Sequence, residues 1–179
     1  MSQTDAHYQL PAPNVPSTTR VLIVRAPYYK AIGDDLLQGA QEAIKAAGAS
    51  FETIDVPGAL EIPTAIAIAA NSNKFDGFVA LGCVIRGETT HYETVCNDSS
   101  RALTLLGLQN ICLGNGILTV ENMEQAAVRS DPKGQNKGGG AAEAALHLIA
   151  AKNRFGQSTE RRSFGFLPDS EHFDIASKD

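Results

Sequence analysis

Apolar side chains along the chain fall into two alternating kinds of run. Short blocks rich in branched residues, RVLIVRA (20–26), SFETIDV (50–56) and GFVALGCVI (77–85), read as strands, because such side chains pack well on both faces of a parallel sheet. A further short strand is expected within NICLGNGIL (110–118). The segments between them carry apolar residues at helical spacing instead. Leu36, Ala40, Ile44 and Ala47 form such a series in residues 32–47, with Asp34 and Asp35 near its start, Lys45 near its end and Gly48 as its stop. ALEIPTAIAIAA (59–70) also predicts a helix, with Pro63 in the first turn, where a missing N–H breaks no intrahelical bond. Over residues 91–106, Tyr92, Val95, Cys96, Leu103 and Leu106 share one helical stripe, while Glu93, Asn97, Asp98 and Arg101 face away. TVENMEQAAV (119–128) opens another helix, capped by Thr119 or Asn122, with Glu121 or Glu124 in its first turn. A glycine-rich stretch, DPKGQNKGGG (131–140), leads into a last helix over residues 141–152.

Alternation of strands with helices long enough to act as crossovers predicts a three-layer α/β/α sandwich with a mostly parallel, flavodoxin-like sheet. Residues 1–19, with Pro11, Pro13 and Pro16, form a flexible or docked arm; residues 20–153 form the domain; residues 154–179 form a tail without strong periodicity.

Composition narrows the classes. With 179 residues, 43% of them hydrophobic, the chain is long enough to fold around one core without staples. A net charge of -5 argues against nucleic acid or an anionic membrane as partner, since either favours a concentrated basic face. Cys83, Cys96 and Cys112 make an odd count without a CxxC pair, which suits a reducing compartment. No secretory signal and no apolar run of membrane-spanning length is evident, so the expected location is the cytoplasm.

Parallel sheets bind ligands beyond the carboxyl ends of their strands. The loops expected there are RAPYYK, VPGALEIP, VIRGETTHYE and LGNGILTVEN. His91 lies beside a helix N-terminus, whose positive field disfavours imidazolium and leaves the ring able to accept a proton; the alternative is a histidine that only caps a turn. Gly87, Glu88, Thr89 and Thr90 precede the same helix, where free N–H groups and hydroxyls suit a phosphate or serve as ordinary caps. Arg129, Lys133 and Lys137 cluster near the glycines and offer a fork and compact charges for phosphate, or are solvated loop charges. Gly138 to Gly140 are no P-loop, because no lysine followed by serine or threonine comes after them, and no strand is followed by GxGxxG. Glu61 either satisfies helix N–H groups or accepts an N–H from a substrate ring. Tyr28 and Tyr29 either stack on a planar ligand or anchor packing. No cluster has metal-ligand spacing.

VPGALEIP (56–63), LGCVIRGETTHYETVCN (81–97), GILTVENMEQA (116–126) and NKGGGAA (136–142), in that order, closely resemble the 6,7-dimethyl-8-ribityllumazine synthase family over residues 20–153. The resemblance implies condensation of 5-amino-6-(D-ribitylamino)uracil with 3,4-dihydroxy-2-butanone 4-phosphate, without cofactor or metal, in the penultimate step of riboflavin synthesis. It assigns proton shuttling to His91, with Lys137 near the reacting region. It places Glu88, Thr89 and Arg129 at the phosphate, and Ala59, Leu60, Glu61, Cys83, Val84 and Ile85 around the pyrimidinedione and ribityl chain. Asn115 matches a position supplied by a neighbouring subunit, and the family forms homopentamers with sites between subunits.

Two departures stand out. Where the family often has arginine, phenylalanine and asparagine after its first strand, the chain has Arg25, Ala26 and Pro27, so that the aromatic contact falls to Tyr28 or Tyr29 or is lost. Asn115 likewise replaces a common aromatic. They raise the alternative of a catalytically weak flavin- or lumazine-binding protein on the same fold; the resemblance by itself also suggests a shell-forming structural protein.

Overall fold

The structure is a computed structural model describing residues 10–156, so the first part of the expected arm and most of the expected tail lie outside the described residues. Four parallel strands, β1 (Arg20–Arg25), β2 (Ser50–Asp55), β3 (Gly77–Ile85) and β4 (Leu113–Val120), form one sheet in the order β2-β1-β3-β4. Arg25 stands opposite Asp55 on one side and Leu81 on the other, and Ile85 opposite Val120. The helices are α1 (Lys30–Ala46), α2 (Glu61–Ala70), α3 (His91–Leu108), α4 (Met123–Ser130) and α5 (Lys137–Gly156).

Strand alternation divides the core in two. Val21 and Ile23 of β1, Val79 and Leu81 of β3, and Leu118 and Val120 of β4 pack with Leu36, Ile44, Leu146 and Ile149 of α1 and α5. Leu22, Val24, Phe78 and Ala80 point the other way, onto Ile62, Ile66 and Leu103 of α2 and α3. Burial on both faces explains why β1 and β3 are continuously apolar rather than alternating. The result is the expected three-layer sandwich. From the arm, Val15 is buried in the first of these clusters, and Thr19 closes a turn by donating its N–H to the Pro16 carbonyl. Among the described residues, no helix is long and apolar enough to cross a membrane.

The edge strands are β2 and β4, and they differ in exposure. β2 leaves every side chain but Phe51 exposed. On the α2 and α3 layer, Ile68 (69% exposed), Leu105 and Leu108 (77%) lie uncovered, although a helix as apolar as α2 is ordinarily enclosed.

The last helix departs from expectation. It begins at Lys137, inside the glycine-rich stretch, and runs to Gly156, past the expected domain end at Asn153. Glycine is a poor helix former, but here close approach outweighs propensity. A Cβ on Gly138 would collide with the Leu36 carbonyl of α1, and one on Gly114 with the Ala141 carbonyl of α5. Asn136, at φ 45°, closes the entry by accepting the Gly139 N–H on its Oδ1 at 3.0 Å. For α4 the cap is Asn122, whose side chain accepts from Gln125 N, with Glu124 in the first turn; Thr119 pairs instead with Val84 inside the sheet.

Gly138→Ala is therefore expected to destabilise by at least about 1–3 kcal/mol, as overpacking does. Gly140→Ala, whose Cβ meets nothing within 4 Å, is expected to stabilise by about 0.5–1 kcal/mol. Urea denaturation of the two variants checks the contrast, and similar midpoints would contradict it.

Candidate active site

Ladder bonds continue past the strand ends and keep the departing loops together. Ala26 N–H donates to the Leu81 carbonyl (2.8 Å), Val56 N–H to the Arg25 carbonyl (2.8 Å) and Arg86 N–H to the Val120 carbonyl (3.0 Å). Above them lies a cavity of about 510 Å³ lined by the loops after β1, β2 and β3 and by the first turns of α3.

From the first loop come Ala26, Tyr28 and Tyr29. The two rings meet edge to face, 5.1 Å between centroids at 74°. Tyr29 is half-buried against the core, and burial is the main cause that raises its phenol pKa. Tyr28 is 75% exposed, so its ring has free surface to offer a ligand. The second loop gives Pro57, Gly58, Ala59, Leu60 and Glu61. Glu61 N–H donates to the Gly58 carbonyl, folding the turn that leads into α2, and Ala59 is buried.

β3 and its loop contribute Cys83, Val84, Ile85, Gly87, Thr89 and His91. Burial pushes the Cys83 thiol up to about 11, so it remains a neutral apolar wall. His91 is the first residue of α3, and its N–H reaches Thr89 Oγ1 at 3.4 Å; Thr90, the capping residue, makes no side-chain cap. Thr89, rather than Thr90, thus takes part in both the turn and the cavity. The exposed imidazole lies where a helix directs free N–H groups, which are suited to an anion.

Two arginines brace the rim. Arg25 grips Asp55 with two bonds of 2.8 Å and Asp34 with a third, joining the ends of β1 and β2 to α1. Hydrogen bonding to Arg25 is the chief cause holding the Asp55 carboxyl below its ordinary range; for Asp34, Lys30 is the larger cause and Arg25 adds to it. Arg86 donates to Glu121 at 2.7 Å and to Glu93, with its guanidinium 4.1 Å from the Tyr92 ring centroid.

The cavity gathers Tyr28, Ala59, Leu60, Glu61, Cys83, Val84, Ile85, Thr89 and His91 of the sequence candidates. Glu88 is exposed and does not line it. Asn115, Arg129 and Lys137 also lie outside it. Asn115 is exposed on β4, its Oδ1 accepting from Ile117 N at 3.0 Å. Arg129 is half-buried and donates to the Gln125 carbonyl at 3.0 Å. Lys137 is exposed at the start of α5, and Lys133 is exposed in the loop before it. Sequence reading missed Tyr92 and Val95 as cavity residues, because their helical spacing is also that of core residues. It also missed the Arg86 brace, whose partners are brought together only by the fold. Among the described residues, no group of three or more histidine, cysteine, aspartate or glutamate side chains is arranged to hold a metal ion.

The sequence pattern of the family described as 6,7-dimethyl-8-ribityllumazine synthase matches residues 18–153. A protein of that name from Jannaschia sp. (strain CCS1) is 54% identical over 156 residues, covering 87% of this chain and 86% of the relative. One from Sphingopyxis alaskensis is 55% identical over 136 residues (76% and 96%), and one from Bartonella tribocorum 59% over 140 (77% and 93%).

Two outcomes test the site's electrostatics. The depressed carboxyls of Asp34 and Asp55 contribute stability that is fully present above the usual carboxylate pKa of about 4 and is lost as pH falls through their lower folded-state values. The difference in urea midpoint between the native chain and Arg25→Met is thus expected to shrink below about pH 4; a constant difference would contradict this. Cys83 is expected to resist alkylation by iodoacetamide at pH 8 in the folded protein and to react after denaturation, as peptide mass mapping would show; rapid native labelling would refute the buried, neutral thiol.

Proposed function

The chain belongs to the 6,7-dimethyl-8-ribityllumazine synthase family, and from that premise we propose how its residues divide the work of the reaction. The enzyme condenses 5-amino-6-(D-ribitylamino)uracil with 3,4-dihydroxy-2-butanone 4-phosphate, releasing phosphate and water and forming the lumazine that precedes riboflavin. One observation carries the assignment of roles: His91, Thr89 and Gly87 border the same cavity as Tyr28 and the turn at residues 59–61.

The pyrimidinedione stacks on Tyr28, with Ala59, Leu60, Glu61, Cys83, Val84 and Ile85 around its ring and ribityl chain. Apolar walls with few polar groups are what such a planar ligand requires. The butanone phosphate rests at the loop of Gly87, Glu88 and Thr89, where N–H groups and one hydroxyl face the α3 N-terminus. Holding amine and ketone together replaces much of the entropy lost when two molecules meet. Imine formation loses water; a proton then leaves carbon as the phosphate departs, and ring closure loses water again. His91 shuttles these protons, and the loop and Arg129 take up the charge that develops on phosphate.

Arg129, Lys137 and Asn115 reach this chemistry from an adjacent copy, so that each site lies between subunits of a homopentamer. Their place outside the chain's own cavity supports that reading, as do the uncovered Ile68, Leu105 and Leu108 and the open edge of β2. The working compartment is the cytoplasm, consistent with three free thiols.

His91→Ala is expected to lower kcat by about tenfold or more. Arg129→Ala is expected mainly to raise KM for the butanone phosphate, by about 10–100-fold for a lost charged bond. Lumazine absorbance measures both, and wild-type kinetics in either variant would remove that residue's role. Sedimentation should give the mass of five chains or a multiple of it; a monomer would exclude the shared site.

A further inference from the structure

The first turn of α3 carries His91 yet lacks the usual device for fixing a helix start. Thr90 makes no side-chain cap; His91 N–H reaches Thr89 Oγ1 only at 3.4 Å, and the Glu93 carboxylate accepts from its own backbone N–H. Uncapped first turns leave backbone donors unpaired and fray readily. Against this turn sits one guanidinium. Arg86 follows β3 directly and is fixed to the sheet by its own N–H, which donates to the Val120 carbonyl at 3.0 Å. Its side chain holds Glu93 and stacks over Tyr92, the two residues immediately after His91. Its Nε bonds Glu121 at 2.7 Å, and Glu121 is itself steadied by donating its N–H to Gln125 Oε1 at 3.1 Å. One side chain thus ties the helix start to the β3–β4 frame.

We propose that Arg86 is a positioning residue for His91, a role that rests on the proton-shuttle reading of that histidine. The pairs are all roughly half-exposed, with side-chain exposures of 41% for Arg86, 47% for Glu93 and 55% for Glu121. Ion pairs of that kind contribute little to folding stability. Their consequence falls on geometry instead, where a misplacement of about 1 Å costs about 10²-fold in rate. A fork is needed to reach two carboxylates while the guanidinium carbon stays over the ring, so lysine cannot substitute fully.

The test is a double-mutant cycle in the full-length assembled enzyme with Arg86→Gln, His91→Ala and the pair, reading kcat, KM for both substrates and thermal midpoint. Arg86→Gln is expected to lower kcat about tenfold with little change in KM for the pyrimidinedione, and Arg86→Lys to restore part of it. In the His91→Ala background the same Arg86→Gln change is expected to cost less than about twofold, because its effect passes through the missing ring. An equal loss in both backgrounds overturns the positioning role, as does unchanged kcat in Arg86→Gln when His91→Ala is slow. Full activity in His91→Ala instead removes the proton-shuttle reading and the present inference with it. If Arg86→Gln does not assemble, Glu93→Gln alone and with His91→Ala supplies the same comparison.

Discussion

Parallel pairing of β1 with β3 is the constraint on which the site depends. From β1 the chain passes to α1 on one face of the sheet, and from β3 it passes to α3 on the other. Their loops therefore part above adjacent strands and leave a crevice that side chains of neither helix layer fill. Ala26, Tyr28 and Tyr29 border it from one side and Cys83 to His91 from the other, while β2, paired to the far side of β1, brings the turn at residues 57–61 alongside. A ligand site arises here because the backbone topology cannot close the gap.

Around that gap the fold combines rigid packing with polar bracing. Close contacts of Gly114 and Gly138 seat α5 tightly against β4 and α1. Arg25 and Arg86 occupy similar places after the buried cores of β1 and β3. Each uses a fork to tie its loop to the neighbouring strand end and to the N-terminal part of a following helix. The Arg86 brace is half-exposed, whereas the Arg25 side chain is mostly enclosed.

Much of this was legible in the sequence because the signals were local. Branched apolar runs marked β1 and β3, and the regular series from Leu36 to Ile44 marked α1. The polar segment after β3 could be read as a strand-to-helix loop, which placed Thr89 and His91 at a ligand-binding edge. What escaped was set by tertiary contacts. The glycines that looked like a loop became the start of α5 because α1 approaches them closely. Tyr92 and Val95 carried a core-like spacing, but the upper end of their stripe meets the cavity. The difference in burial between Tyr28 and Tyr29 is likewise one that adjacent identical residues do not encode. Asn115, Arg129 and Lys137 matched family positions by motif, yet motif order does not show that all three stand outside the chain's own cavity.

The most direct measurement is a crystal structure of the assembled enzyme with inorganic phosphate and a non-reactive pyrimidinedione bearing the ribityl chain. The account predicts the ring against Tyr28, the phosphate at the Gly87–Thr89 backbone with Arg129 of an adjacent copy opposite, and the His91 imidazole between the two ligands. A ligand pair bound away from the crevice between β1 and β3, or a His91 ring turned to bulk solvent with both ligands in place, would contradict it.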